Sequence, residues 1–422
     1  MNVIIINKSD STGGAAVVSF RLMQALRSLG INAEMLVCEK LTDSPYVHLA
    51  ASPPSIKSAF LAERLKIYLA NGFNRADLFK VDSASDGLPL HRHPLVKQAD
   101  VICLNWVNQG MLSLRGLQKL QSLGKPIFWT MHDMWCMTGI CHHAGTCLNY
   151  HENCGECQFL GSRKSRTDLS HRVLEEKLRI YRNSKAAKPI HFVAVSRWLA
   201  ELGRKSALLA DATLSVIPNA FPTPDSGILD LRVPDRDRKF RVLMGAARLD
   251  DPVKGLPILV EATRQLKLRY PALAARTELV TFGNLRNPAA LDCVEISHRH
   301  LGPVHGADAV RDLYLNSDCV VSTSLYETLP GTLVEGQFYG AVPVSFGRGG
   351  QADIIDNRST GWIAEWSDDV KIAGQNIAAG LMWASEQGDQ TRSLMLASAT
   401  ARFAAESVAK RYIELFQASI LA

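Results

Sequence analysis

Residues 319–350 read CVVSTSLYETLPGTLVEGQFYGAVPVSFGRGG, and this stretch sets how the rest of the chain is read. Residues 319–324 are apolar, small or β-branched and predict a buried strand. Residues 332–339 predict a helix stopped by Gly340, and residues 342–346 the next strand. The result is a β-α-β unit with Tyr326 and Glu327 at the carboxyl end of its first strand, where open parallel sheets bind their ligands. Pro330 suits the first turn of the helix, because a missing N–H costs nothing there. Glu327 is expected in the loop and Glu335 inside the helix, so two carboxylates from different elements can address one ligand. The N–H groups of the helix start add partial positive charge for an anion.

Outward from this stretch, 422 residues with 47% hydrophobic content can bury a large core, and the length favours two or three domains. The apolar opening, residues 1–7, is short for a signal sequence, lacks a basic leader and runs into a Ser/Thr/Gly loop, so it reads as a first strand. No window approaches the roughly 20 apolar residues that span a bilayer. The expected location is the cytoplasm, with attachment to the inner face of a membrane as an option. A net charge of +6 suits nucleoside diphosphates or phospholipid surfaces and does not call for nucleic acid.

The chain opens with a strand, a loop containing Gly13 and Gly14, a helix over 15–29 and a strand over 33–37, which is the start of a doubly wound α/β domain. Gly13-Gly14 falls short of a dinucleotide fingerprint; it reads either as a close approach of backbone to ligand or as a plain tight turn. Residues 55–80 form a basic amphipathic pattern that can rest on an anionic membrane or be a solvated helix with one buried face. Residues 99–106 and 126–131 are further strands, the second ending in His132 and Asp133, with Asp133 placed to orient the imidazole. Residues 163–188 read as a basic helix. Residues 222–239, rich in Pro, Asp and Arg, read as an interdomain linker. They hold a formal DxD at Asp235 and Asp237, away from any strand end. The second domain opens with a strand over 241–247 and a loop holding Arg248 and Lys254, whose two cations can neutralise a diphosphate. Residues 278–282 with Gly283 form the next strand and turn.

Five of the nine cysteines fall between Cys136 and Cys157. Cys141, Cys147, Cys154 and Cys157 stand as C-x5-C-x6-C-x2-C. Four thiolates at this spacing can close a structural zinc site; disulfides, a redox pair and unligated thiols are the other readings. A site of four thiolates has no open position for water, so it is not expected to be catalytic.

Glu327, seven residues, Glu335, then Gly340-Ala-Val-Pro-Val and Gly347-Arg-Gly-Gly resemble the signature of retaining GT-B glycosyltransferases of the glycogen-synthase-like, family-4 type. The segment from His132 to Cys157 is similar to a Cys-rich insertion in a polysaccharide-building subgroup of that family. The resemblance covers both halves of the chain. It implies an α/β GT-B fold: a Rossmann-like acceptor domain over 1–221, the linker over 222–239, and a Rossmann-like nucleotide-sugar domain over 240–403. The two face each other across a cleft, and a terminal helix over 404–422 returns to the first. It implies that Gly13 and Gly14 lie beside the donor phosphates and that His132 contacts the donor sugar. Arg248 and Lys254 would grip the pyrophosphate, with Gly283 near the base. Glu335 would accept from ribose hydroxyls, and Glu327 would engage the sugar beside the amides of Leu329 and Gly331. Pro330 departs from many relatives by removing one donor there. The implied activity is retaining transfer from a GDP- or UDP-sugar to a saccharide or lipid-linked oligosaccharide in surface polysaccharide biosynthesis, with no metal required. An epimerase or hydrolase of the same donor, or a non-catalytic nucleotide-sugar binder, would use the same residues.

Overall fold

The computed structural model describes residues 1–183, 188–232 and 239–421. The DxD at Asp235 and Asp237, and residues 184–187 of the expected basic helix, lie outside them. The chain divides into a first unit, Met1–Ala220 with Val408–Ala422, and a second, Phe221–Ser407.

In the first unit, strands β1 (Asn2–Ser9), β2 (Asn32–Glu39), β3 (Val47–Leu49), β4 (Val101–Leu104), β5 (Ile127–Met131), β6 (Ile190–Ala194) and β7 (Leu214–Val216) form one parallel sheet in the order β3-β2-β1-β4-β5-β6-β7. Its central strands are buried on both faces, which is why they read as continuous apolar runs. Six helices belong to this stretch among the described residues: α1 (Gly14–Ser28), α2 (Pro53–Ala70), α3 (Pro94–Gln98), α4 (Leu114–Gln121), α5 (Leu169–Tyr181) and α6 (Arg197–Lys205). The strand order reverses between β1 and β4, and the carboxyl ends of such neighbouring strands are where sheets of this kind bind ligands.

The second unit repeats the plan. Strands β8 (Phe240–Arg248), β9 (Thr277–Asn284), β10 (Ser297–His300), β11 (Cys319–Ser322), β12 (Val342–Phe346) and β13 (Trp362–Ala364) pair in parallel in the order β10-β9-β8-β11-β12-β13. Helices α7 (Leu256–Arg269), α8 (Pro271–Ala275), α9 (Ala307–Leu315), α10 (Gly331–Phe338), α11 (Val370–Ser385) and α12 (Asp389–Phe403) connect and cover them. The reversal here falls between β8 and β11. Val242, Val321, Val344 and Phe346 from the sheet pack with Leu259, Leu266, Ile377 and Leu381 from α7 and α11 into one core. The edge strand β10 reads Ser-His-Arg-His and is exposed along its length; with no apolar alternation it gave no strand signal in the sequence.

The described part of the expected linker is fixed to the second unit. Arg232 donates to the carbonyls of Ser317 and Tyr339 at 2.8 Å each, and Ile228 is buried. The guanidinium satisfies the carbonyls that α9 and α10 leave orphaned at their ends. Helix α13 (Ala405–Leu421) follows a break at Ala404, and its residues from Val408 onward join the first unit. There Tyr412 shares a 3.0 Å hydrogen bond with Thr130, and Phe416 lies on Phe128 with ring centroids 4.8 Å apart. No helix among the described residues is long and apolar enough to cross a membrane.

Candidate active site

The β8–α7 and β11–α10 loops leave adjacent strands at the switch point of the second sheet and are tied to one another. The Leu325 N–H donates to the Val253 carbonyl at 2.8 Å, and the Thr323 hydroxyl to the Lys254 carbonyl at 3.0 Å. Gly255 makes this approach possible: its φ is +64°, and a Cβ there would stand 2.1 Å from the Thr323 carbonyl oxygen. The juxtaposition brings the Lys254 ammonium onto Glu327 Oε1 as an ion pair, and the Ser324 hydroxyl donates to the same oxygen at 3.0 Å. Both partners are partly exposed, Lys254 by 27% and Glu327 by 21%, so a ligand can reach them.

The glycines after β12 hold the carboxylate's backbone. The Gly350 N–H donates to the Glu327 carbonyl at 2.7 Å, and a Cβ at Gly349, where φ is +67°, would lie 2.4 Å from that oxygen. Gln351 is buried below them, accepting from Ser322 and Ser345 at 2.8 and 2.6 Å and donating to the carbonyls of Ser324 and Arg348. It locks the ends of β11 and β12 together. Sequence reasoning missed Ser324 and Gln351; their signal was only a small hydroxyl at a strand end and an amide after a Gly-rich turn.

Arg248 sits in the same loop as Lys254 but turns to Asp250 and Asp251, with Nη2 3.0 Å from Asp251 Oδ2 and Nε 3.6 Å from Asp250 Oδ1. Glu335 lies on α10, where its Oε2 accepts from the Tyr314 hydroxyl at 3.1 Å; the Tyr314 ring stacks on Tyr339. Gly331 is the first residue of α10, and Leu329 precedes it beside Pro330. The first N–H groups of a helix have no intrahelical partner, so this end can bind an anion. Gly283 ends against β8: with φ at +118°, a Cβ would fall 1.7 Å from the Ala246 carbonyl oxygen, and only glycine fits.

In the first unit, Gly13 is the N-cap of α1 at φ +89° and Gly14 its first residue; a Cβ on either meets nothing within 4 Å. His132 follows β5, and its Nε2 is 2.9 Å from Asn105 Oδ1, at the end of β4. Burial pushes its pKa down to about 4, against the pull of Asp133, so the ring is neutral at pH 7. Asp133 does not orient it. That carboxylate is taken by His142 Nδ1 at 2.7 Å, the Trp106 indole N–H at 2.9 Å and the Trp135 N–H at 2.8 Å. The partner of His132 is therefore Asn105, which lies 27 residues away in sequence and is brought alongside by the β4–β5 pairing.

Cys141, Cys147, Cys154 and Cys157 are free thiols. They share one neighbourhood: burial pushes Cys141 up to about 12 and Cys157 up to about 11, and Cys147 and Cys154 add to both shifts. Among the described residues no three His, Cys, Asp or Glu side chains are arranged to hold a metal ion. Polar contacts also hold the segment. His142 lies between Asp133 and Asp82, and the buried Lys177 donates to the carbonyls of Trp135 and Thr138 at 2.6 and 3.0 Å.

Residues 240–379 match the family model described as glycosyl transferases group 1. WcaC of Escherichia coli (strain K12), a protein named for glycosyl transfer in colanic acid biosynthesis, is 22% identical over 294 residues, covering 67% of this chain and 69% of WcaC. Among solved structures, a glycosyltransferase from Rickettsia africae aligns over 99% of this chain and 98% of its own at 14% identity, TM-score 0.61. HepE from Anabaena, in complex with UDP-glucose, aligns over 99% and 100% at 15% identity, TM-score 0.60. The lipopolysaccharide outer core galactosyltransferase WaaB aligns over the same shares at 15% identity, TM-score 0.58. The chain thus has the two-sheet α/β fold of GT-B glycosyltransferases, and its second unit carries the match to glycosyl transferases group 1.

Proposed function

We propose that the protein is a retaining glycosyltransferase that moves a sugar from a nucleoside diphosphate sugar, bound by the second unit, to a saccharide or lipid-linked oligosaccharide bound by the first. The observation that carries this reading is the Lys254–Glu327 pair at the β8/β11 switch point. Without ligand the two charges neutralise each other. An arriving donor can separate them, its diphosphate taking the ammonium and its sugar hydroxyls the carboxylate. Breaking the bond from the anomeric carbon to phosphate leaves the electron pair on the diphosphate. A cation at that position stabilises the transition state more than the ground state. Arg248, released from Asp250 and Asp251, supplies a second cation, and the start of α10 with Leu329 and Gly331 supplies N–H donors. Glu335, which accepts from Tyr314, takes the ribose hydroxyls in this reading. In this reading no metal is needed at the diphosphate.

The relatives support a surface-polysaccharide role. WcaC is named for colanic acid biosynthesis, WaaB for the lipopolysaccharide outer core, and HepE was solved with UDP-glucose. UDP-sugars are therefore the first donors to test, with GDP-sugars alongside, and the proposed site of action is the cytoplasmic face of a membrane. A thermal-shift panel of nucleotide sugars identifies the donor, because binding to the native state raises its apparent stability. Mass and NMR analysis of the product with a saccharide acceptor then shows transfer and anomeric configuration. Lys254→Ala is expected to lower transfer by about two to three orders of magnitude with the fold intact by circular dichroism. Near-normal transfer by that variant, or release of free sugar whatever acceptor is offered, would overturn the assignment.

A further inference from the structure

Helix α2 is amphipathic the wrong way round. Its inward face carries Glu63 and Arg64, both buried, together with Ile67. Arg64 reaches Asp82 and the Leu78 carbonyl at 2.7 Å each, and Glu63 accepts the Gly110 N–H at 2.5 Å. Outward, Leu61, Leu65 and Leu69 follow one another at i, i+4 spacing and are 52%, 58% and 49% exposed. Phe73 and Phe79, in the turns that follow, are exposed by 55% and 56%. A lone surface leucine needs no explanation. Three exposed leucines in one row of a helix that buries Glu63 and Arg64, with exposed Phe73 just beyond its end, point to an apolar environment on that side.

The surroundings are cationic. Lys57 heads the same i, i+4 row, and Arg75 is exposed beyond the helix end. Residues 161–164 abut that end: a Cβ on Gly72 would lie 3.3 Å from Ser162 Oγ and 3.7 Å from Arg163 Cγ, and both Arg163 and Lys164 face solvent. The carboxylates nearby are already engaged, Asp77 by Lys80 at 2.9 Å and Asp86 by Lys66 at 2.7 Å, while Glu63 and Asp82 are buried.

We propose that this face of the first unit docks on a bilayer surface carrying anionic headgroups, with Leu61, Leu65, Leu69 and Phe73 entering the headgroup–acyl boundary and the flanking cations meeting lipid phosphates. A soluble phosphate would answer the cations and leave the leucines in water. Only an interface that is apolar within and anionic at its rim answers both. The inference deepens the lipid-linked acceptor reading above, yet its readout needs no sugar donor, so failure here leaves the donor assignment standing and the reverse.

The test is flotation of the full chain with phosphatidylcholine vesicles, with and without phosphatidylglycerol. Wild type is expected to float with the anionic vesicles. Leu61→Ser/Leu65→Ser/Leu69→Ser is expected to reduce that partition about tenfold or more. Arg163→Glu/Lys164→Glu, on a separate segment, is expected to reduce it several-fold on anionic vesicles only, with unchanged thermal melting. Wild type that floats with neither vesicle, or triple-serine and charge-reversed variants that float like wild type, overturns the proposal. So does a triple-serine variant whose only change is conversion of a dimer to a monomer on size-exclusion chromatography, which would assign the face to a second copy of this chain.

Discussion

At the scale of single residues, environment sets the charge of His132 and His142 in opposite directions. Burial pushes His132 down to about 4. Burial acts the same way on His142, but the Asp133 and Asp82 carboxylates outweigh it and push His142 up to about 9. For His142 the folded value lies above the unfolded 6.5. Its stabilising contribution is therefore fully present below pH 6.5 and lost as pH rises through about 9. The buried Lys177, pushed down to about 7, contributes with the opposite slope, so the informative quantity is a difference between variants. The melting temperature of wild type should exceed that of His142→Gln by a wide margin at pH 6, and the gap should narrow steadily towards pH 9. A gap independent of pH would show that His142 is not held as an imidazolium. The same pair shows how far residue-level reading reaches: His132 was legible at its strand end, whereas its partner Asn105 depends on which strands become neighbours, and the diversion of Asp133 to His142 on how the segment after β5 folds back on itself.

At the scale of elements, the candidate site is a set of loops held by backbone contacts that leave no room for a side chain. Gly349 is the clearest case, because its φ is +67° and a Cβ would press on the Glu327 carbonyl at 2.4 Å and its N at 2.7 Å. Gly349→Ala is expected to destabilise the second unit by about 1–3 kcal/mol. It should also lower kcat/KM for transfer by more than that destabilisation explains, since the displaced backbone is the one that carries Glu327. Gly13→Ala is a useful contrast, with φ +89° but no atom within 4 Å of the added carbon: strain without collision. Wild-type stability and activity in Gly349→Ala would show that the Glu327 loop yields freely. The sequence marked this element as Gly-rich and next to a strand end, but not what the glycines touch.

At the scale of the whole molecule, two sheets built on the same strand order share a chain that leaves the second unit at Ser407 and rejoins the first at Val408. Helix α13 completes the first unit's core: Phe416 is fully buried against Phe128, Tyr412 bonds Thr130, and the Lys188 ammonium donates to the Ser419 carbonyl at 2.5 Å. Phe416→Ala is expected to cost about 3–5 kcal/mol, read as a lower melting transition of the first unit. Nucleotide binding, proposed for the second unit, should leave that loss uncorrected. Unchanged melting would mean that the terminal helix covers the sheet without stabilising it.

The sequence by itself determined the element pattern and the class of architecture. Buried parallel strands must be continuous apolar runs, and helices must carry their period and their stops, so the β-α-β order and the strand-end positions of Glu327, Lys254 and His132 could be read directly. It also exposed the resemblance on which the functional reading rests. Only the tertiary structure decided which side chains meet: Lys254 with Glu327 across 73 residues, Glu335 with Tyr314, Asp133 with His142, and the charged inward face of α2 with Asp82. Periodicity reports which residues avoid water. It says nothing of which strand lies next to which, and a polar contact between loops is created only when that order is fixed.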